Sequence, residues 1–184
     1  MPELTEVRRD HFMRAAIVCF ARYGYRRTSM DTIAQAADVS RPALYQYYRN
    51  KEEVFRAAVQ WGLDDLARRA RAEAGKPGEI TERLAAVLGV VIDMHLPRRA
   101  RDGARFDAEL IDETRARAGD HWASFEQTMI AALLSVLDRP LGDVAQVLFY
   151  GAKGIALQLD DRAEALRLLR RLTDVVVHGT PGLR

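Results

Sequence analysis

The stretch TSMDTIAQAADVSRPALYQYYRNKEEVF, residues 28–55, decides the fold predicted for this chain. Its first part has apolar residues at helical spacing and predicts a short helix over about 31–37, with Thr28 or Ser29 as the N-cap. After a two-residue turn, a second short helix is expected over about 41–47. Two short helices joined by a tight turn are typical of a helix-turn-helix module.

Capping signals delimit the helices on either side of the turn. Ser40 stands where it caps the second short helix, and Pro42 follows at a position where a missing amide is harmless. Asn50, followed three residues later by Glu53, predicts the start of a longer helix at Lys51. The core expected between the two short helices consists of Ile33, Ala34, Ala37, Val39 and Leu44.

Helical periodicity extends through the whole chain, and the predicted fold class is all-α. A helix over about 5–23 ends at Gly24, because glycine takes the left-handed backbone conformation without penalty. Its apolar stripe is Phe12, Ala15, Ala16, Cys19, Phe20 and Tyr23. The fourth helix is expected to run toward Arg71, and the further helices cover about 80–96, 104–118, 121–137, 141–159 and 162–177.

Composition narrows the function classes. Residues 1–60 contain 10 Lys and Arg against 7 Asp and Glu, whereas residues 61–184 contain 18 against 19, so the positive excess is N-terminal and suits a polyanionic partner. No apolar run reaches the roughly 20 residues of a membrane span, and the N-terminus does not have the pattern of a signal peptide. A single cysteine, Cys19, excludes an internal disulfide. We therefore expect a cytoplasmic protein with no membrane partner.

The ordered pattern of residues 28–55 resembles the DNA-binding module of the tetracycline-repressor-like (TetR) family. The matching elements are Thr28, Ile33-Ala34, Ala37-Asp38-Val39-Ser40, Leu44-Tyr45, and Tyr48 with Lys51-Glu52. Asp38 stands where the family usually has glycine, and we expect the turn to survive because Asp tolerates a left-handed conformation. Tyr48 replaces the usual Phe. The resemblance, which covers about residues 8–60, implies a two-fold dimer whose recognition helices enter successive major grooves.

The resemblance also assigns candidate DNA contacts. Tyr45, Tyr47 and Lys51 match family positions that bind phosphates, and Thr28 matches the threonine of the family's cap. Arg41, Pro42 and Ala43 lie at the N-terminal end of the recognition helix, which meets base edges in helix-turn-helix docking. Arg41 is the first candidate for a guanine contact and Gln46 the second. Packing for Tyr45, an incidental position for Tyr47, and a solvated or phosphate-bound Arg41 remain open alternatives.

The rest of the chain is expected to bind a ligand and to dimerise. We predict a DNA-binding domain over residues 1–60 and a helical ligand-binding and dimerisation domain over residues 61–184. Candidate pocket residues are Met94, His95, Phe106, His121, Trp122, Phe125 and Met129, each of which also suits a plain core. Candidate dimer residues are Val144, Val147, Leu148, Gly151, Ile155, Leu166, Leu169, Leu172 and Val176, with packing inside one chain as the alternative.

The predicted function is a DNA-binding transcriptional regulator, a repressor released from a palindromic operator by a small molecule. A ligand-independent DNA binder and an activator of the same fold are the alternatives. An enzyme is not expected, because the four histidines are scattered and no nucleophile has an evident base. No cofactor and no metal site are predicted. The partners expected are duplex operator DNA, a small-molecule effector and a second copy of the chain.

Overall fold

The computed structural model describes residues 6–101 and 107–179, which form eight helices and no strands. The all-α prediction is confirmed. The helices are α1 (Glu6–Tyr23), α2 (Met30–Ala36), α3 (Arg41–Tyr47), α4 (Lys51–Ala74), α5 (Ile80–Arg101), α6 (Asp107–Leu137), α7 (Gly142–Gln158) and α8 (Arg162–Gly179). The chain divides into two compact units, one of residues 1–64 with 98–123 and the other of residues 65–97 with 124–184.

The first unit contains the helix-turn-helix module, and aromatic rings fill its core. Phe20 and Phe55 are fully buried, with ring centroids 4.9 Å apart in an edge-to-face arrangement. Tyr25 packs against both rings. Tyr23, predicted to lie in the buried stripe of α1, is instead 40% exposed. The chain turns at Gly24 (φ 77°), and Tyr25 takes the inward position in its place.

The second unit has an aliphatic core built by parts of α4 and α5, the end of α6, and α7 with α8. Its largest fully buried side chains are Leu84, Leu88, Ile92, Met129, Leu133, Leu148, Phe149 and Leu169. Small residues allow α7 and α8 to approach closely, because a Cβ added at Gly151 would lie 2.7 Å from a methyl carbon of Leu172.

Two predicted helix boundaries differ from the structure. The segment after Leu96 was expected to break the helix at Pro97, but α5 continues to Arg101. A proline lacks the amide that bonds to the preceding turn, which weakens a helix without always ending it. The break predicted after Ala118 corresponds to a kink, because Ala118 has non-helical angles (φ −139°, ψ 36°) while the flanking turns form one element, α6.

Candidate nucleic-acid interface

The turn between α2 and α3 is closed by backbone hydrogen bonds at the end of α2. The Val39 amide donates to the Ala34 carbonyl at 3.0 Å, and the Asp38 amide donates to the Gln35 carbonyl at 3.2 Å. This paired pattern is a Schellman motif, which needs a left-handed residue at the position of Asp38. Asp38 has φ 53°, so the prediction that this aspartate tolerates the conformation is confirmed.

Serine hydroxyls begin both helices of the module. The Ser29 hydroxyl accepts from the Thr32 amide at 3.1 Å, which decides between the two predicted caps of α2. The Ser40 hydroxyl accepts from the Ala43 amide, so α3 begins as predicted. Each cap satisfies an amide that the first helical turn leaves without an intrahelical partner.

Helix α3 has a buried side and an exposed side. Leu44 on α3 is 1% exposed, and Ile33 and Ala34 on α2 are also buried. Ala43 is half-buried, and the exposed predicted contacts are Arg41, Pro42, Tyr45, Gln46 and Tyr47. Tyr45 is 42% exposed, which leaves part of its side chain accessible to a partner.

Arg41 is held in place by two neighbours that its sequence position did not reveal. Its guanidinium donates to the Asp31 carboxylate at 3.1 Å and lies 5.5 Å from the centre of the Tyr45 ring. Tyr45, through a side-chain hydrogen bond, and the Asp31 charge raise the pKa of Arg41. This arrangement orients a planar donor group at the N-terminal end of α3, the part of a recognition helix that contacts base edges in helix-turn-helix proteins.

Lys51 and Thr28 face the interior of the module rather than its exposed side. The Lys51 ammonium donates to the carbonyls of Tyr25 at 2.7 Å and Arg26 at 3.3 Å, and burial lowers its pKa. Thr28 is 2% exposed, and its hydroxyl donates toward the carbonyls of Gly24 (2.8 Å) and Cys19 (3.2 Å). Thr28 therefore stabilises the α1–α2 turn, and its side chain does not lie on the exposed surface of the module.

A charged network in the same unit joins α6 to the module. The Arg117 guanidinium lies 4.1 Å from the centre of the Tyr25 ring and donates to Glu113 at 2.6 Å. Arg56 of α4 donates to the Arg117 carbonyl and to the Asp120 carboxylate at the kink. Apart from the Arg117–Glu113 pair, which is local, these contacts join residues 61 or more positions apart, so no local sequence pattern predicts them.

The predicted pocket residues fall in different parts of the chain. Met94, Phe125 and Met129 are buried in the second unit. His121, partly exposed, and Trp122, which is buried and stacked on Arg115, belong to the first unit. The His95 side chain and Phe106 lie outside what the structure describes. The pocket remains a prediction for all seven residues.

The predicted dimer residues divide into core and surface. Leu148 and Leu169 are fully buried inside the second unit and are core residues, which corrects their assignment to an interface. Val147 is 57% exposed, and the structure adds three exposed apolar side chains that the prediction omitted, Tyr150, Leu157 and Val175. The remaining predicted residues, Val144, Gly151, Ile155, Leu166, Leu172 and Val176, are half-buried.

A sequence profile of the bacterial regulatory proteins of the TetR family matches residues 12–58, which contain the capped helix pair and its turn. Residues 12–58 therefore resemble the TetR family. A TetR-family transcriptional regulator of Streptomyces coelicolor is 27% identical, with a TM-score of 0.72 over 95% of this chain and 80% of that one. The fold likeness thus extends well beyond the matched module.

The curated relatives include a transcriptional activator and a transcriptional repressor. The chain is 34% identical over 86 residues to the transcriptional activator FasR of Mycolicibacterium smegmatis, covering 47% of this chain and 39% of that protein. It is 32% identical over 90 residues to the transcriptional repressor Rv1474c of Mycobacterium tuberculosis, covering 47% and 48%. The matches span less than half the length of these relatives.

Among the described residues, no group of three or more His, Cys, Asp or Glu side chains is placed to hold a metal ion. Within the same residues, no helix combines the length and hydropathy needed to span a lipid bilayer.

Proposed function

We propose that this chain is a homodimeric, sequence-specific DNA-binding transcriptional regulator of the TetR family, a repressor released from a palindromic operator by a small molecule. The observation that carries the proposal is the capped α2–α3 pair, which exposes Arg41, Tyr45, Gln46 and Tyr47 on α3 while Leu44 holds that helix to the core. Arginine and tyrosine supply the base and phosphate donors that a major groove requires.

The proposed contacts divide into residues that recognise bases and residues that bind the phosphate backbone. Arg41, at the N-terminal end of α3, and Gln46 face base edges. Tyr45 and Tyr47 donate to phosphates. Lys51 joins them only when its ammonium leaves the carbonyls of Tyr25 and Arg26, so its contribution to DNA binding depends on a change in its side-chain conformation.

DNA binding is tested by fluorescence anisotropy with the duplex immediately upstream of the protein's own gene and with a random duplex, each at two salt concentrations. Specific binding should be tight, dimeric and strongly salt-dependent. Arg41→Ala should change base preference at one position per half-site, whereas Tyr45→Phe should weaken binding to both duplexes. The matched control is Arg49→Ala, whose side chain is 91% exposed and lies beyond the end of α3. Equal behaviour of Arg41→Ala and Arg49→Ala would refute the reading role.

Dimerisation is proposed through the exposed apolar surface of α7 and α8. Val147, Tyr150, Gly154 and Leu157 recur at helical spacing along α7, and a Cβ at Gly154 would meet nothing within 4 Å in one chain. Val147→Arg should shift the protein to monomer in analytical ultracentrifugation, while Gln146→Arg, an exposed neighbour, should not. A dimer that withstands Val147→Arg would place the interface elsewhere.

An activator is the second candidate, because FasR carries that name. Repression and activation are distinguished by deleting the gene in a strain that carries a reporter downstream of the bound site. Reporter output should rise on deletion if the protein represses, and fall if it activates. Release by small molecules is then screened on the bound DNA, and opposing effects of ligand and DNA on each other's affinity are required by linkage.

A further inference from the structure

A groove of about 660 Å³ lies between the start of α1 and the exposed side of α3. Its floor includes Phe12 and Tyr48, whose rings stack with centroids 5.6 Å apart. Apolar side chains line its floor and polar ones its edges; the principal ones are Phe12, Val39, Leu44 and Tyr48 on the floor, and Arg8, His11, Gln46 and Tyr47 at the edges. Two of the edge residues belong to the surface proposed to touch DNA, so the groove continues that surface onto α1.

The α1 side of the groove carries positive charge. Arg8, which lines the groove, and its neighbour Arg9 are exposed, and the carboxylate of the next residue, Asp10, accepts a hydrogen bond from the Trp61 indole at 2.6 Å. Burial raises the pKa of the Tyr48 hydroxyl, and the nearby Arg9 charge acts in the opposite direction, so Arg9 lies within electrostatic reach of the groove. The carboxylate of Asp38 lines another part of the same groove.

The shape and the charge together match one kind of occupant. A sugar–phosphate backbone presents apolar deoxyribose faces and anionic phosphates in alternation. The ring floor of Phe12 and Tyr48 suits the former, and the arginines and the Tyr47 hydroxyl suit the latter. A wholly apolar small molecule would make no use of the two cations.

We propose that the DNA backbone on the flank of each half-site lies in this groove, with Arg8 and Arg9 neutralising its phosphates. This inference rests on the proposed function and extends the DNA-binding surface from α2 and α3 to α1. The contact is independent of base sequence and fixes the angle at which α3 enters the major groove of the DNA.

The test compares two double variants that remove the same charge from the same helix. Arg8→Ala with Arg9→Ala removes the cation that lines the groove and the cation next to it. Arg14→Ala with Arg22→Ala removes two cations that lie over the rings of Trp61 and Tyr23 instead. Because one phosphate contact contributes about 0.9 to the slope of log K against log salt, the groove variant of a dimer should lose about 3.6 of that slope. The control should lose much less, and thermal unfolding checks that both variants fold.

Hydroxyl-radical footprinting then locates the contact. Wild type should protect deoxyriboses flanking the half-site, and the groove variant should lose that protection while keeping the protection over the half-site itself. Equal salt slopes for the two double variants, or a flank that wild type leaves unprotected, would overturn the inference and leave the groove to a small molecule or another chain segment.

The outcomes also separate this inference from the proposed function. Backbone contacts act on any duplex, so the slopes are measured on random DNA as well as on upstream DNA. If the wild-type protein binds both duplexes equally, the proposed sequence-specific function is contradicted. The difference in salt slope between the two double variants on random DNA would still show whether the groove binds the DNA backbone.

Discussion

Replacing Asp38 by valine tests whether the left-handed turn sets the stability of the DNA-binding module. At φ 53°, a β-branched side chain meets the steric penalty that Asp largely escapes, which is about 1–2 kcal/mol per residue. For a chain of this size, 1 kcal/mol corresponds to roughly 2–4 °C in the unfolding midpoint. Asp38→Val should therefore lower the Tm by about 2–8 °C, measured by circular dichroism.

Three further variants separate backbone strain from charge. Asp38→Asn keeps the tolerance of the left-handed region and removes the carboxylate, so its Tm should stay near that of wild type. Asp38→Gly relieves the strain but gains entropy in the unfolded chain, and the two effects offset within about 1 kcal/mol. Asp138→Val has the same starting φ of 53° outside the module and should cost similar stability without changing the base preference of DNA binding. An Asp38→Val protein as stable as Asp38→Asn would refute the argument.

Three other predictions concern residues inside the two units. Thr28→Val should cost about 1–2 kcal/mol in urea unfolding, because the buried hydroxyl bonded to Gly24 is lost, and Thr28→Ser should restore most of it. The Cys19 thiol should resist Ellman's reagent until the protein unfolds, since burial both shields it and raises its pKa. A pKa that is higher in the folded protein than in the unfolded chain means that folding favours the neutral thiol. The stability that Cys19 contributes in this way is present below the pKa of the unfolded chain and is lost as the pH rises through the pKa of the folded protein. In an alkaline titration, the free energy of unfolding should therefore fall less in Cys19→Ala than in wild type. Gly154→Ala should stabilise α7 by up to about 1 kcal/mol through helix propensity when measured in the Val147→Arg background, because the added methyl meets no atom within 4 Å.

Local signals predicted the helix-turn-helix well because its determinants lie close together in the chain. Ser40 caps α3 at the predicted residue, and Asn50 accepts from the Glu53 amide at the start of α4. Gly24 and Asp38 take the left-handed angles that their positions require. Caps and turns depend on atoms within about five residues, so a single sequence contains the necessary information.

Signals of the same kind failed where the outcome depends on packing. Pro97 did not end α5, and Tyr23 turned outward because Tyr25 filled the core. Periodicity placed Leu148 and Val147 together in a candidate interface, yet one is fully buried and the other is more than half exposed. Apolar residues at helical spacing identify the apolar face of a helix. They do not show whether that face packs inside the chain or is left exposed.

The sequence by itself determined the helix order, the caps, the turn and the residues of α3 that carry donors, because short-range hydrogen bonds and backbone sterics are encoded within a few residues. Only the tertiary structure decided that Arg41 pairs with Asp31 and Tyr45, that Lys51 bonds to carbonyls of the α1–α2 turn, and that Arg117 stacks on Tyr25. Apart from Arg41 with Tyr45, which lie one helical turn apart, those pairings join residues from 10 to more than 90 positions apart. Their outcome depends on where the packed helices bring each side chain.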